Sequence, residues 1–159
     1  MAQVNLPVVA GGGGWTPVGA YPANQNDGDA GTYQGWPGDT AGTNANFYDY
    51  TQIPDGAIIS SVSVSGLWGA GSAPATASFR FVIGVSSDTL GTINDVTSYS
   101  FNRTTKPGGG AWTKADVQSL HMNTVSLQTG NANLMKLRSS VLSVFYVLSG
   151  EIFIPIYRG

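Results

Sequence analysis

The chain has no cysteine, few charged residues, a single histidine and no long apolar run. The absence of cysteine excludes disulfides, thiolate metal sites and a cysteine nucleophile. No stretch reaches the ~18 apolar residues of a membrane span. The first residues, MAQVNLPVVAGGGG, lack the cationic and long apolar regions of a signal peptide. We therefore predict neither a membrane span nor a cleaved leader.

Charge is scarce and nearly balanced. Only 10% of the residues are charged, whereas about 25% is usual in soluble domains. Seven Lys and Arg stand against nine Asp and Glu, for a net charge of -2, and there is no basic run to neutralise phosphates. Nucleic acid is therefore not an expected partner. Because so little net charge opposes contact between copies, we expect the protein to self-associate.

The titratable residues do not indicate catalysis. A Ser-His-Asp mechanism requires a histidine, and His121 directly follows a predicted helix, where a surface or capping role is common. Glycoside hydrolysis requires two carboxylates that flank a cleft. Nearly all acidic residues of this chain lie in turn-like segments, where Asp bonds the nearby backbone. We therefore predict a protein without enzymatic activity or cofactor.

The segment 24–29, Asn-Gln-Asn-Asp-Gly-Asp, is the one candidate for a metal site. Its closely spaced oxygen ligands, Asp27 and Asp29 above all, are of the type that Ca²⁺ prefers. The segment lacks the distal Glu that closes an EF-hand loop. The alternative interpretation is an Asx-rich loop that caps one end of the fold.

Alternating apolar and polar residues predict half-buried strands. With 159 residues the chain fits one domain. Gly84 is a candidate bulge in the second of these strands. The apolar faces of the three clearest strands consist of Ile58, Val62, Val64 and Trp68, then Phe79, Phe81, Ile83 and Val85, then Tyr99 and Phe101.

One helix and one fully apolar strand complete the pattern. Thr113 with Asp116 three residues later forms a capping-box sequence, which predicts a helix of about two turns ending near Asn123. Residues 141–148 are apolar on both faces, so we expect both faces of that strand to be covered. The prediction is an all-β antiparallel β-sandwich or jelly roll with one short α-helix.

The two ends of the chain have a different composition from its middle. Residues 1–20, with four consecutive glycines from Gly11 to Gly14, predict an extended N-terminal arm that docks on its own domain or on a neighbour. Residues 21–159 form the predicted single β-sandwich domain. Its last part, 151–159, is an apolar strand that Pro155 confines to a sheet edge or to contact with another chain.

These segments supply the predicted interface. Aromatic residues dominate interface hot spots, and apolar strands add readily to a neighbouring sheet. The candidate interface residues are Val8, Val9, Trp15, Tyr33, Trp36, Ile152, Ile154, Ile156 and Tyr157.

Several short motifs, spread over roughly residues 25–150, resemble a β-sandwich module of virion structural proteins in tailed bacteriophages. The apolar tail beyond Gly150 is additional to that module. The residues that carry the resemblance are Asp27-Gly-Asp29-x-x-x-Tyr33, Phe47-Tyr-x-Tyr50, Ile53-Pro-x-Gly-x-Ile58-x-x-x-Val62-x-Val64 and Gly110-Ala-Trp112-Thr113-x-Ala-Asp116-Val117-x-x-Leu120.

The resemblance implies a structural role in a virion that assembles in the host cytoplasm. We expect a capsid decoration or cement protein that binds the major capsid protein or other virion subunits. We also expect a homo-oligomer, with a trimer favoured. Binding to the assembled shell but not to loose subunits would stabilise the shell by mass action.

Two other interpretations remain open from the sequence. A collar, tail or fibre protein could touch host glycans through its Trp and Tyr residues. A carbohydrate-binding module of a secreted enzyme would use the same aromatic residues, but the absence of a signal peptide argues against it.

Overall fold

The computed structural model describes residues 1–6, 8–11, 16–18, 33–37, 43–70, 76–94, 97–126 and 134–149. This part of the chain contains eleven strands, one α-helix and a 3-10 turn, Tyr50–Gln52. The helix, α1, is Lys114–Ser119. The strands are β1 Ala2–Leu6, β2 Val8–Gly11, β3 Thr16–Val18, β4 Tyr33–Pro37, β5 Thr43–Tyr48, β6 Ala57–Ala70, β7 Thr76–Ile83, β8 Ser86–Asn94, β9 Thr97–Arg103, β10 His121–Ser126 and β11 Leu134–Leu148.

The strands form two antiparallel sheets. Sheet A has the order β3-β4-β11-β6-β9, and β1 also pairs with β11. Sheet B has the order β2-β5-β10-β7-β8. The predicted all-β class, with two sheets and one short helix, is confirmed.

Apolar side chains from both sheets meet between them. Alternation places every second residue of a strand on the core side, and the fully buried side chains follow that spacing. Burial of this set supplies the main driving force for folding. The core residues with no exposed surface are Leu6, Val62, Val64, Ala77, Phe79, Phe81, Met122, Leu142 and Val144.

A bulge near the start of β6 reverses the face that its first residues present. The partner register shifts between Phe145 and Tyr146 of β11, which pair with Ser61 and Ile59. One extra residue changes the parity of all residues before it. As a result Ile59 is buried and Ile58 is 57% exposed, so the prediction that Ile58 lies in the core is wrong.

The region after Phe81 also differs from its prediction. Gly84, with a φ of 58°, lies in the tight turn between β7 and β8 instead of forming a bulge inside a strand. Val85 occupies the same turn and is fully exposed, so it does not belong to the core face. The positive φ suits glycine, which has no Cβ to clash in that conformation.

The described N-terminal residues are extended and pair with both sheets. β1 pairs with β11 from Ala2 to Leu6, and Leu6 is completely buried. β2 then pairs with β5 in the other sheet. β1 thus belongs to sheet A and β2 to sheet B, where apolar side chains and backbone hydrogen bonds hold them. Of the two docking possibilities, these residues take their own domain.

Arg103 connects the two sheets on the opposite side. Its Nε donates to the Asp88 carboxylate at 2.6 Å. Its terminal nitrogen donates to the backbone carbonyls of Thr89 at 2.7 Å and Leu90 at 3.1 Å. These bonds occupy acceptors of the β8 edge, so that edge is partly blocked against pairing with another strand.

The helix begins where the sequence predicts. Thr113 is the N-cap, and its side chain and that of Asp116 form a reciprocal capping box. The helix ends earlier than predicted, since Leu120 is the C-cap and His121 already starts β10. Trp112 is buried, and its indole N–H donates to the Arg103 carbonyl at 3.1 Å.

We predict that Leu6→Ala lowers the free energy of unfolding by about 2–5 kcal/mol, because it leaves a cavity between β1 and the core. Urea unfolding of the full chain measures this change. Gln3→Ala is the matched control, since Gln3 is exposed on the same strand, and it should have little effect. A free N-terminal arm would instead make both substitutions neutral.

Candidate functional site

An apolar patch lies on the outer face of sheet A, where β6 begins and β11 ends. Ile58 and Val147 are register partners on these strands. They are 57% and 37% exposed, and Met1 is 86% exposed. The Ser60 hydroxyl contacts both the Met1 sulfur and the Phe145 carbonyl, which places Met1 near Ile58 and Val147. We call Met1, Ile58 and Val147 the apolar patch.

The patch is exposed because no described residue covers the outer face of β11, although the sequence predicted a cover there. Residues 141–148 were predicted to be covered on both faces. In the structure Leu142 and Val144 are buried in the core, whereas Phe145 is half-buried and Val147 exposed on the other face. Exposed apolar groups that adjoin one another are typical of interaction surfaces.

A groove of about 250 Å³ adjoins the patch. Ser63 of β6 pairs with Ser143 of β11 on one side and Asn102 of β9 on the other. The described side chains that line the groove offer hydroxyl and amide groups, a thioether and one aromatic ring, with no charge. They are Met1, Ser61, Ser63, Asn102 and Phe145.

Most charged side chains that the structure describes are paired. Arg103 binds Asp88 at 2.6 Å, Lys106 binds Asp116 at 2.9 Å, and Lys114 binds Asp55 at 2.7 Å. The last two bonds fix α1 to the loop before it and to the turn that precedes β6. Such surface ion pairs contribute little stability each, so their main effect is to hold these segments in position.

Among the described charged side chains, Arg80 and Asp49 have no oppositely charged partner. Arg80 of β7 is half-buried, and its Nε is inaccessible to solvent and has no hydrogen-bond partner. Asp49 accepts hydrogen bonds from the backbone and hydroxyl of Thr51, which lower the pKa of its carboxyl. Asp49 therefore carries its negative charge at neutral pH without a cationic partner.

A polar cluster inside the sandwich has a structural role. The Tyr48 and Ser140 hydroxyls are 2.6 Å apart, and Ser140 also bonds Tyr99. Burial raises the pKa of Tyr99 well above its usual value. All three residues are buried, so they link the two sheets and are closed to substrate.

His121 begins β10 and is half-buried. Burial lowers the pKa of its imidazole, because the charged form loses water there, and a hydrogen bond with the Ser119 backbone only partly opposes this. Within the described residues, no group of three or more His, Cys, Asp or Glu could hold a metal ion.

The structure describes only the backbone of four of the predicted interface residues. The backbones of Val8 and Val9 belong to β2, and those of Tyr33 and Trp36 belong to β4. Their side chains lie outside the described part of the chain. The remaining predicted residues lie wholly outside the described residues: Trp15, Ile152, Ile154, Ile156, Tyr157 and the calcium candidates Asp27 and Asp29.

The comparisons with known proteins give no family. No model of a protein family matches the chain, and no curated protein is similar to it. Among the described residues no helix is long and apolar enough to cross a membrane. The resemblance to phage virion modules therefore stays a prediction that rests on the quoted motifs.

Sequence reasoning missed the patch and the groove. The sequence signal for the patch was the strand 141–148, which is apolar on both faces. The bulge that exposes Ile58 does not alter the alternation of apolar and polar residues in the sequence. The groove is built by serine and asparagine residues from different strands, and such residues are common on any solvated sheet face. Only the strand register brings them together.

We predict that the free energy of unfolding decreases as the pH falls from about 7.5 to about 5.5, and that His121→Gln reduces this slope. The pKa of His121 is lower in the folded protein, so below about 6.5 the unfolded chain takes up the proton more readily. Urea unfolding at both pH values tests this. Asp49 and Asp55 titrate below that window, and an unchanged slope would contradict the assignment to His121.

Proposed function

We propose that the protein is a non-enzymatic structural subunit of a tailed-phage virion, of the capsid decoration or cement type. It binds the major capsid protein or other shell subunits and stabilises the assembled shell by burying surface across their junctions. The proposal combines the motif resemblance with the low charge of the chain. The observation that carries it is the apolar patch of Met1, Ile58 and Val147.

The location of the patch supports protein contact. It lies on a sheet face, beside a groove whose lining side chains are uncharged, so a partner can bury these side chains without desolvating a charged side chain. β1 and β2 pair with strands of their own sandwich, so the contact that we propose uses sheet A's outer face and the apolar segment 151–159, which lies outside the described residues.

The start of that segment fits this assignment. Ser149, the last described residue, donates its backbone N–H to the Gly56 carbonyl at 3.4 Å, next to the start of β6. The last described residue therefore lies close to Ile58 and Val147. The proposed contact includes both the patch and segment 151–159.

A second candidate function has its own supporting observation. The groove presents the side chains of Ser61, Ser63 and Asn102 beside the Phe145 ring. Hydroxyl and amide groups next to an apolar ring suit a neutral sugar, whose ring packs on the aromatic while its hydroxyls form hydrogen bonds. This arrangement favours a collar, tail or fibre protein that contacts host glycans.

We expect the double substitution Ile58→Ser and Val147→Ser to reduce occupancy on purified shells at least about tenfold, because it removes apolar area from the contact. Both side chains are exposed, so the fold should remain. Quantitative mass spectrometry of shells incubated with each variant measures occupancy. Val85→Ser is the matched control, because Val85 is fully exposed in the β7–β8 turn away from the patch. Equal occupancy of the double variant and the control would contradict the proposal.

The glycan alternative is tested with a glycan array and the substitutions Phe145→Ala and Asn102→Ala. If the groove binds sugar, each substitution should abolish a signal that the unaltered protein gives, since ring and amide both contribute. Ser98→Ala, at an exposed position of β9 outside the groove, should leave the signal intact. A protein without any array signal excludes this function for the glycans tested.

A further inference from the structure

We propose that a second copy of the chain docks on the outer face of sheet B, where Asp49 of one copy pairs with Arg80 of the next. The inference deepens the proposed function, because it names one partner as the protein itself. Arg80 and Asp49 are the two described charged residues that have no oppositely charged side chain beside them.

Arg80 is positioned to receive a carboxylate. Its register partners are Asn123 of β10 and Thr89 of β8, which are both uncharged. Arg80 is half-buried and its unbonded Nε is inaccessible to solvent, so a carboxylate from another copy would bind the two terminal nitrogens of the guanidinium. Buried donors are normally bonded, and arginine binds carboxylates through two parallel hydrogen bonds.

Asp49 is positioned to supply that carboxylate. It lies directly after β5 and before the 3-10 turn, and it accepts hydrogen bonds from neutral donors of Thr51 and Gln52. Thr51 holds the carboxylate in one orientation without neutralising it. A fixed charge loses less conformational entropy when it binds than a mobile one.

The two residues cannot pair within one molecule. Ala45 of β5, Asn123 and Arg80 are aligned across three strands, and Asp49 lies four residues beyond Ala45. Two strand spacings and four residues of rise separate the two backbones by about 16 Å. This distance exceeds the combined reach of the two side chains, so the pairing requires another copy.

The resulting contact joins two different surfaces, one from each copy. Contacts of this kind repeat around a ring when the rotation closes, which agrees with the oligomer expected from the sequence. Val82 lies on the same outer face two residues from Arg80 and is half-buried, so it adds apolar area to the contact. The ion pair sets the register, while apolar burial supplies most of the affinity.

The test is a charge exchange measured by sedimentation equilibrium of the isolated full-length protein. Arg80→Glu and Asp49→Lys should each raise the dissociation constant at least about tenfold. The double variant should restore association to within about threefold of the unaltered protein, since the pair is then reversed. Asp49→Asn keeps an acceptor for Thr51 and should weaken association as well.

The control combines Arg80→Glu with Ser98→Lys and Ser100→Lys. Both serines are exposed on β9, so this variant makes the same change in net charge elsewhere and should not restore association. The inference is overturned if the unaltered protein is monomeric, if both single reversals associate normally, or if the exchange fails to restore association in a folded double variant. Shell occupancy is a separate measurement, so the proposed function can stand when this inference fails.

Discussion

The antiparallel pairing of β6 with β11 is the interaction on which the rest of the structure depends. The two strands run together from Met135 to Leu148 of β11, interrupted by two register shifts. The free edge of β11 accepts β4 near one end and β1 near the other. The other edge of β6 accepts β9. β1, β4 and β9 each pair with one of these two strands, so sheet A would not form without them.

The same pair determines which surfaces remain for binding. Its core face buries Val62, Val64, Leu142 and Val144. The bulge in β6 and the apolar outer residues of β11 leave the patch on the other face. Arg103 partly blocks the β8 edge, and β1 and β2 pair with β11 and β5. The sheet faces are the broad surfaces on which we expect contacts.

Local patterns in the sequence predicted the parts of the fold that depend on neighbouring residues. The alternation of Val62 and Val64 with serines and the capping box of Thr113 and Asp116 both follow from nearest-neighbour geometry. These features need no knowledge of the partner strands.

Features set by strand pairing were not predictable in this way. Ile58 has the correct spacing for the core face, but a bulge defined by the partner strand turns it outwards. The sequence left two docking sites open for the N-terminal segment, its own domain or a neighbour, and Leu6 enters the core because β11 has an unpaired edge at that level. Arg80 and Asp49 can be recognised as charges without an opposite partner only when the ion pairs of the other described side chains are known.

The account requires that the N-terminal residues belong to the sandwich of the same molecule, so that binding falls to the sheet faces. Hydrogen–deuterium exchange of the isolated protein tests this directly, since exchange reports the stability of each backbone hydrogen bond. The account predicts that peptides covering residues 2–11 exchange as slowly as peptides from β6. Exchange of residues 2–11 at the rate of an unstructured peptide would contradict it.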